Sequence, residues 1–130
     1  MAVVVDTDVI SFFQKRDSRY ELYKHHLDDT EKFISFMTWA ELLRWPLERN
    51  WGDKRRNDFF TFVEEGYGIV YADDNLCQIW AQIMTGSRKK GRPVATADAW
   101  IAAVALMFDI PLVTHNRKHF EHITGLSILP

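Results

Sequence analysis

The 130 residues suffice for one domain with its own core, and 47% apolar against 26% charged residues is the balance of an ordinary water-soluble globular chain. A formal net charge of -2 lacks the strongly basic footprint usual for a nucleic-acid-binding domain, and no apolar run approaches membrane-spanning length. The single cysteine, Cys77, excludes an internal disulfide and, with Leu76, Ile79 and Trp80 as neighbours, reads as a buried filler suited to a reducing cytosol; "MAVVVD" is too short for a secretory signal.

The chain opens with a β-branched run, "VVV", that predicts a buried strand ending at Asp6, followed by helical segments through "VISFFQKR" and "SRYELYKHHL". Thr7 or Asp8 is expected to cap the first helix, where an acid favours the positive end of the macrodipole. A strand "FISFM" precedes a helix over residues 39–50, which Pro46 should kink or interrupt at Trp45 because it removes a backbone donor. A helix over 54–65, a strand "GIVYA" and a helix over 74–85 follow, then a basic loop, "SRKKGR", over 87–92. "DAWIAAVALMF" is apolar on nearly every side, so the helix over 97–108 is expected to be buried, with its alanines allowing close approach. A strand "LVT", a helical turn over 118–123 and a last strand "SIL" complete the chain. Apolar strands alternating with helices give an α/β fold with a mainly parallel sheet, without repeats or a linker.

Three acids stand where such a fold gathers its ligands. Asp6 ends a strand, Glu41 lies just after another, and Asp98 opens the core helix; in open parallel sheets these positions share one edge. Each has a local explanation, since Thr38 and Glu41 in "TWAE" match a capping box and Thr96 could cap the helix of Asp98. If the acids converge, those explanations fall short. Two carboxylates about 4 Å apart at an effective dielectric of about 20 repel by about 4 kcal/mol, while a cap returns only about 0.5–2 kcal/mol. A divalent cation offsets that repulsion, and oxygen donors suit Mg²⁺ or Mn²⁺.

Taken together and in order, "VVVDTDVISFF", "FMTWAELLRWPLERNWG", "TADAWIAAVAL" and "LVTHNRKHF" resemble a PIN-domain ribonuclease of the VapC toxin type across nearly the whole chain. The resemblance implies a three-layer α/β/α sandwich over residues 1–130, RNA cleavage dependent on Mg²⁺ or Mn²⁺, a cytoplasmic setting, a cognate antitoxin and a homodimer. By matching position, Asp6, Glu41 and Asp98 become the metal-binding acids, Asn116 a further catalytic residue, and Thr7 and Thr114 their polar support. Six aromatics (Trp39, Trp45, Trp51, Phe59, Phe60 and Phe62) are expected to divide between the core and surfaces for the antitoxin and a second copy.

The sequence departs from that pattern where a further acid is common, at Asn116 or His119. An amide at 116 can still offer oxygen or hold water, so a second cation is expected to bind weakly, and Asn116→Asp to strengthen binding; His119 reads as a surface or capping residue. Two other readings compete. One is a catalytically weak PIN domain that only binds RNA or antitoxin. The other is a receiver-type signalling domain, mimicked by "VVVDTD", "GIVYADD" and "LVT" but lacking a late lysine and leaving Glu41 and Asp98 without a role.

Overall fold

β1 (Ala2–Val5), β2 (Glu31–Ser35), β3 (Gly68–Val70) and β4 (Leu112–Val113) form one sheet in the order β3-β2-β1-β4 in the computed structural model, which describes residues 1–130. Every pair is parallel. Val3, Val4 and Val5 are wholly buried, as expected for a central strand covered on both faces. Side-chain alternation sends Val3 and Val5 into one apolar cluster with Ile10, Ile34, Leu42, Phe59 and Val63, and Val4 into a second with Ala99, Ala102, Leu112 and Phe120.

The first cluster is closed by α1 (Thr7–Gln14), α3 (Phe36–Glu48) and α4 (Asp53–Gly66), the second by α5 (Asp74–Lys89) and α6 (Thr96–Phe108). This is the expected α/β/α sandwich. α6 buries Ala99, Ile101, Ala102, Ala103, Val104 and Ala105, so its all-round apolar sequence is matched by a position between the sheet and α5. Successive strands β1, β2 and β3 step one way, and β4 then pairs on the other side of β1. The reversal puts a topological switch point between the carboxyl ends of β1 and β4. No helix is long and apolar enough to cross a membrane.

Several local expectations are corrected. Asp6 itself caps α1, its carboxylate accepting from the Thr7 N–H at 2.7 Å, so neither Thr7 nor Asp8 is needed for that purpose. The second helical stretch is broken into a 3-10 turn, Ser18–Leu22, and a short α2, Lys24–Leu27. β2 stops at Ser35, whose hydroxyl caps α3 by accepting from the Thr38 N–H at 3.1 Å. The capping box of Thr38 and Glu41 therefore does not form. α3 runs through Pro46 to Glu48; the lost backbone bond is offset by burial of Pro46 beside the core residue Leu42.

α5 continues to Lys89 and absorbs the first half of the expected basic loop. Cys77 is exposed, because α5 buries Leu76, Ile83 and Ser87 and one residue of helix turns Cys77 about 100° from Leu76. Thr96 begins α6 without a side-chain cap, and "SIL" contributes only a single bridge, Leu112 to Ile128.

Candidate active site

The switch point turns two strand ends toward each other. Asp6 follows β1 and is only 6% exposed; Thr114 follows β4 and donates its hydroxyl to Asp6 Oδ2 at 2.6 Å. Thr114 Oγ1 in turn accepts from the Asn116 N–H at 3.0 Å. The Thr7 hydroxyl donates to Thr38 Oγ1 at 3.1 Å and ties the start of α1 to the first turn of α3. Both threonines expected to give polar support are thus buried and engaged, Thr114 on Asp6 directly and Thr7 through its backbone N–H.

Three helices deliver the remaining acids. Glu41 comes from the second turn of α3, Asp98 from the first turn of α6 and Asp8 from the first turn of α1. Asp6, Thr7, Asp8, Glu41, Asp98, Asn116 and His119 line one open cleft of about 330 Å³, walled by Trp45, Ala97 and Ile101. No lysine or arginine is among the lining residues. Every sequence-predicted acid is therefore brought to the same cleft.

The electrostatics follow from burial. Asp6 is pushed up to about 7, first by desolvation and then by the charges of Asp8 and Asp98, against the lowering pull of Thr114 and Thr7. Burial also raises Asp8, Asp98 and Glu41. Asp98 and Glu41 each have a neighbour that pulls the other way: His119 Nδ1 lies 3.3 Å from Asp98 Oδ2, and the charge of Arg44 acts on Glu41. Carboxylates that are raised by burial and by one another cost stability when ionised.

The donors are carboxylate oxygens with an amide beside them, the set that hard divalent cations prefer. One buried oxygen, Asp8 Oδ1, has no hydrogen-bond partner, which is the condition of a group that a cation satisfies. In composition the residues fit Mg²⁺ or Mn²⁺. No group of three or more His, Cys, Asp or Glu side chains stands close enough together to hold a metal ion. Asp98 lies beside His119, and Asp8 is turned toward the Asn116 amide, so closing the donor set around an ion requires side-chain rotation.

Sequence reasoning missed Asp8 as a site residue and left His119 outside the cleft. The signal for Asp8 was the spacing Asp-x-Asp at a strand end, which a helix cap explained well enough locally. The basic stretch lies elsewhere. Lys90 Nζ donates to the His122 carbonyl at 3.2 Å, and Lys90 shares a separate cavity with Leu106 near the far end of α6, about 12 Å along the helix axis from Asp98 at 1.5 Å per residue. Of the six aromatics, Phe59 is buried, Trp39, Trp45, Trp51 and Phe60 pack partly against the core, and Phe62 stacks on the exposed Phe13 at 4.7 Å.

Comparison with known proteins agrees with this architecture. The PIN domain family model matches residues 3–126. A Ribonuclease VapC1 of Haemophilus influenzae is 29% identical over 98% of this chain and 96% of its own. A Ribonuclease VapC1 of Methanocaldococcus jannaschii is 30% identical over 97% of this chain and 85% of its own. Among solved structures, VapBC-1 from nontypeable Haemophilus influenzae superposes with a TM-score of 0.80 at 27% identity, covering 99% of this chain and 97% of that one. With a switch-point cleft of scattered acids, a family model spanning nearly the full length and relatives aligned over almost all of it, the chain belongs to the PIN domain family, in its VapC branch.

Proposed function

We propose that these 130 residues act as a single PIN domain that cleaves RNA internally with the help of Mg²⁺ or Mn²⁺, as the toxin of a toxin–antitoxin pair. The observation that carries the reading is the burial of Asp6 beside Asp8 and Asp98 in a cleft lined by no lysine or arginine. Capping α1 does not account for the charge, since a neutral asparagine or serine there caps as well. The catalytic term rests also on the ribonuclease names of the VapC1 relatives.

In this reading Asp6, Glu41 and Asp98 hold the ion, with Asn116 at the rim. When bound, Mg²⁺ or Mn²⁺ activates water and neutralises charge on the phosphoryl group under attack. The chain's own groups do the rest. Thr114 and the Thr7 N–H hold both oxygens of Asp6 in place, Glu41 approaches from α3 to accept a proton from water in the cleft, and Trp45 and Ile101 form its apolar wall. Attack by water leaves a 5′-phosphate and a 3′-hydroxyl.

An antitoxin and a second copy of the chain are the proposed partners. VapBC-1, whose VapC-type fold this chain shares, supports the first, and the exposed stack of Phe13 on Phe62 offers apolar surface for a partner. A cytoplasmic setting is proposed for the chain. Asn116, at a position where an acid was expected, favours one competing reading, a weakly catalytic module that binds RNA or antitoxin.

One assay separates these. The purified chain is incubated with RNA in Mg²⁺, in Mn²⁺ and in EDTA, and the new ends are mapped. Cation-dependent cleavage leaving 5′-phosphates is expected; primary 2′,3′-cyclic phosphates would exclude the mechanism, and RNA binding without cleavage in either cation would favour the inactive module.

A further inference from the structure

Asp8 is explained neither as a helix cap nor as a surface acid. Asp6 already caps α1. Asp8 Oδ2 accepts two N–H groups, from Asn116 Nδ2 at 2.9 Å and from the His115 backbone at 3.1 Å, while Oδ1 is buried and accepts none. An acid serving only the helix dipole has no need to be half-buried, and one serving only to anchor the segment after β4 has no need to line a cleft with three other carboxylates and leave one oxygen without a partner. Two donors fix the carboxylate through Oδ2 and leave Oδ1 without a partner, the oxygen that a side-chain rotation would offer to a ligand.

We propose that Asp8 is a fourth carboxylate of the cation site and that Asn116, rather than contributing its own oxygen, is a positioning residue that holds Asp8 there. The proposal rests on the metal-dependent reading of the cleft. It accounts for the departure at residue 116: the amide donates to Asp8 over a chain separation of 108 residues, and an aspartate in its place would set two carboxylates face to face. The expectation that Asn116→Asp strengthens cation binding is therefore reversed. The same hydrogen bond could run the other way, from an asparagine at 8 to an aspartate at 116, with the total charge preserved.

The test is a charge-exchange cycle on the full chain: wild type, Asp8→Asn, Asn116→Asp and the double variant. Mn²⁺ binding is read by calorimetric titration, and melting temperature in EDTA and in Mn²⁺. Each single variant is expected to bind Mn²⁺ at least about 10-fold more weakly, as when a partner that orients a metal ligand is lost, and the double variant to recover most of that loss. Asp8→Asn should also melt higher than wild type in EDTA, because one of four mutually repelling carboxylates has gone; an acid that merely supports the helix would give a lower melt. That EDTA melt also reports whether each variant folds. Wild-type affinity in Asp8→Asn, or tighter binding in Asn116→Asp, would overturn the proposal while leaving the metal reading intact. No Mn²⁺ response in the wild type would instead overturn the metal reading on which it rests.

Discussion

The two ends of α6 carry charge in opposite ways. At its start Asp98 joins Asp6, Asp8 and Glu41, acids scattered through the chain and gathered into one cleft where burial raises all four above their ordinary values. At its far end Arg88, Lys89, Lys90 and Arg92, almost consecutive in sequence, are exposed, and only Lys90 is tied down, to Thr124 and the His122 carbonyl. The conspicuous run costs almost nothing because water solvates it. The inconspicuous set costs stability, and that expense marks a site more reliably than the density of charge along a sequence.

The largest expected effect is on chemistry at the acidic end. Asp98→Asn or Asp6→Asn should lower RNA cleavage by at least about 100-fold, beyond the ~10–100-fold typical of residues that only support a metal ligand. Circular dichroism should show the fold retained, since asparagine at position 6 still caps α1. A fully active Asp98→Asn enzyme would show that the acidic end does not carry the chemistry.

An intermediate effect is on stability against pH. Asp6 has a folded value of about 7, above its ordinary value of 3.8, so between those values the folded state binds a proton that the unfolded chain has released. Its contribution is fully present below about pH 4 and is lost as pH rises through about 7, with a limiting slope of ~1.4 kcal/mol per pH unit. Asp8, Asp98 and Glu41 are raised as well and act in the same direction. Asp17, held down to about 2 by Arg19, acts only below about pH 4. In EDTA the melting temperature should therefore fall from pH 4 to pH 7, on the order of 5 °C per unit at the steepest. Asp6→Asn should flatten that slope and melt above the wild type at pH 7. A melting temperature that climbs across this range would show that the acids are not in conflict.

The smallest effect belongs to the basic end. Replacing Arg88, Lys89 and Arg92 together by glutamine should change stability by no more than ~0.5 kcal/mol and leave kcat unchanged, with at most a few-fold rise in KM that disappears as salt is added. Loss of cleavage at saturating RNA would place phosphate recognition at this end and erase the contrast.

How much of this was legible depended on whether a residue's role is local. The alternation of apolar strands with helices, the burial of α6 and the candidacy of Asp6, Glu41 and Asp98 could be read from pattern and resemblance. Helix starts were less secure: Ser35 caps α3 three residues before the apparent box at Thr38, because a hydroxyl at a strand end competes with one inside the helix and only packing decides between them. Exposure of Cys77 is set by its neighbours around the helix, which the apolar residues adjacent to it in sequence do not reveal. Asp8 was passed over because a first-turn acid already has a sufficient local explanation.

That this chain builds a parallel α/β sheet is written in its local pattern, since hydrophobic period and strand length are properties of adjacent residues, and burial of "VVV" follows from its unbroken apolar run. That Thr114 meets Asp6 and Asn116 meets Asp8, each across 108 residues, is a property of the folded chain alone. Those contacts follow from β4 pairing beside β1 instead of beyond β3, a choice made by the packing of α5 and α6 on the sheet, and no window of neighbouring residues records on which side of β1 the last strand will lie.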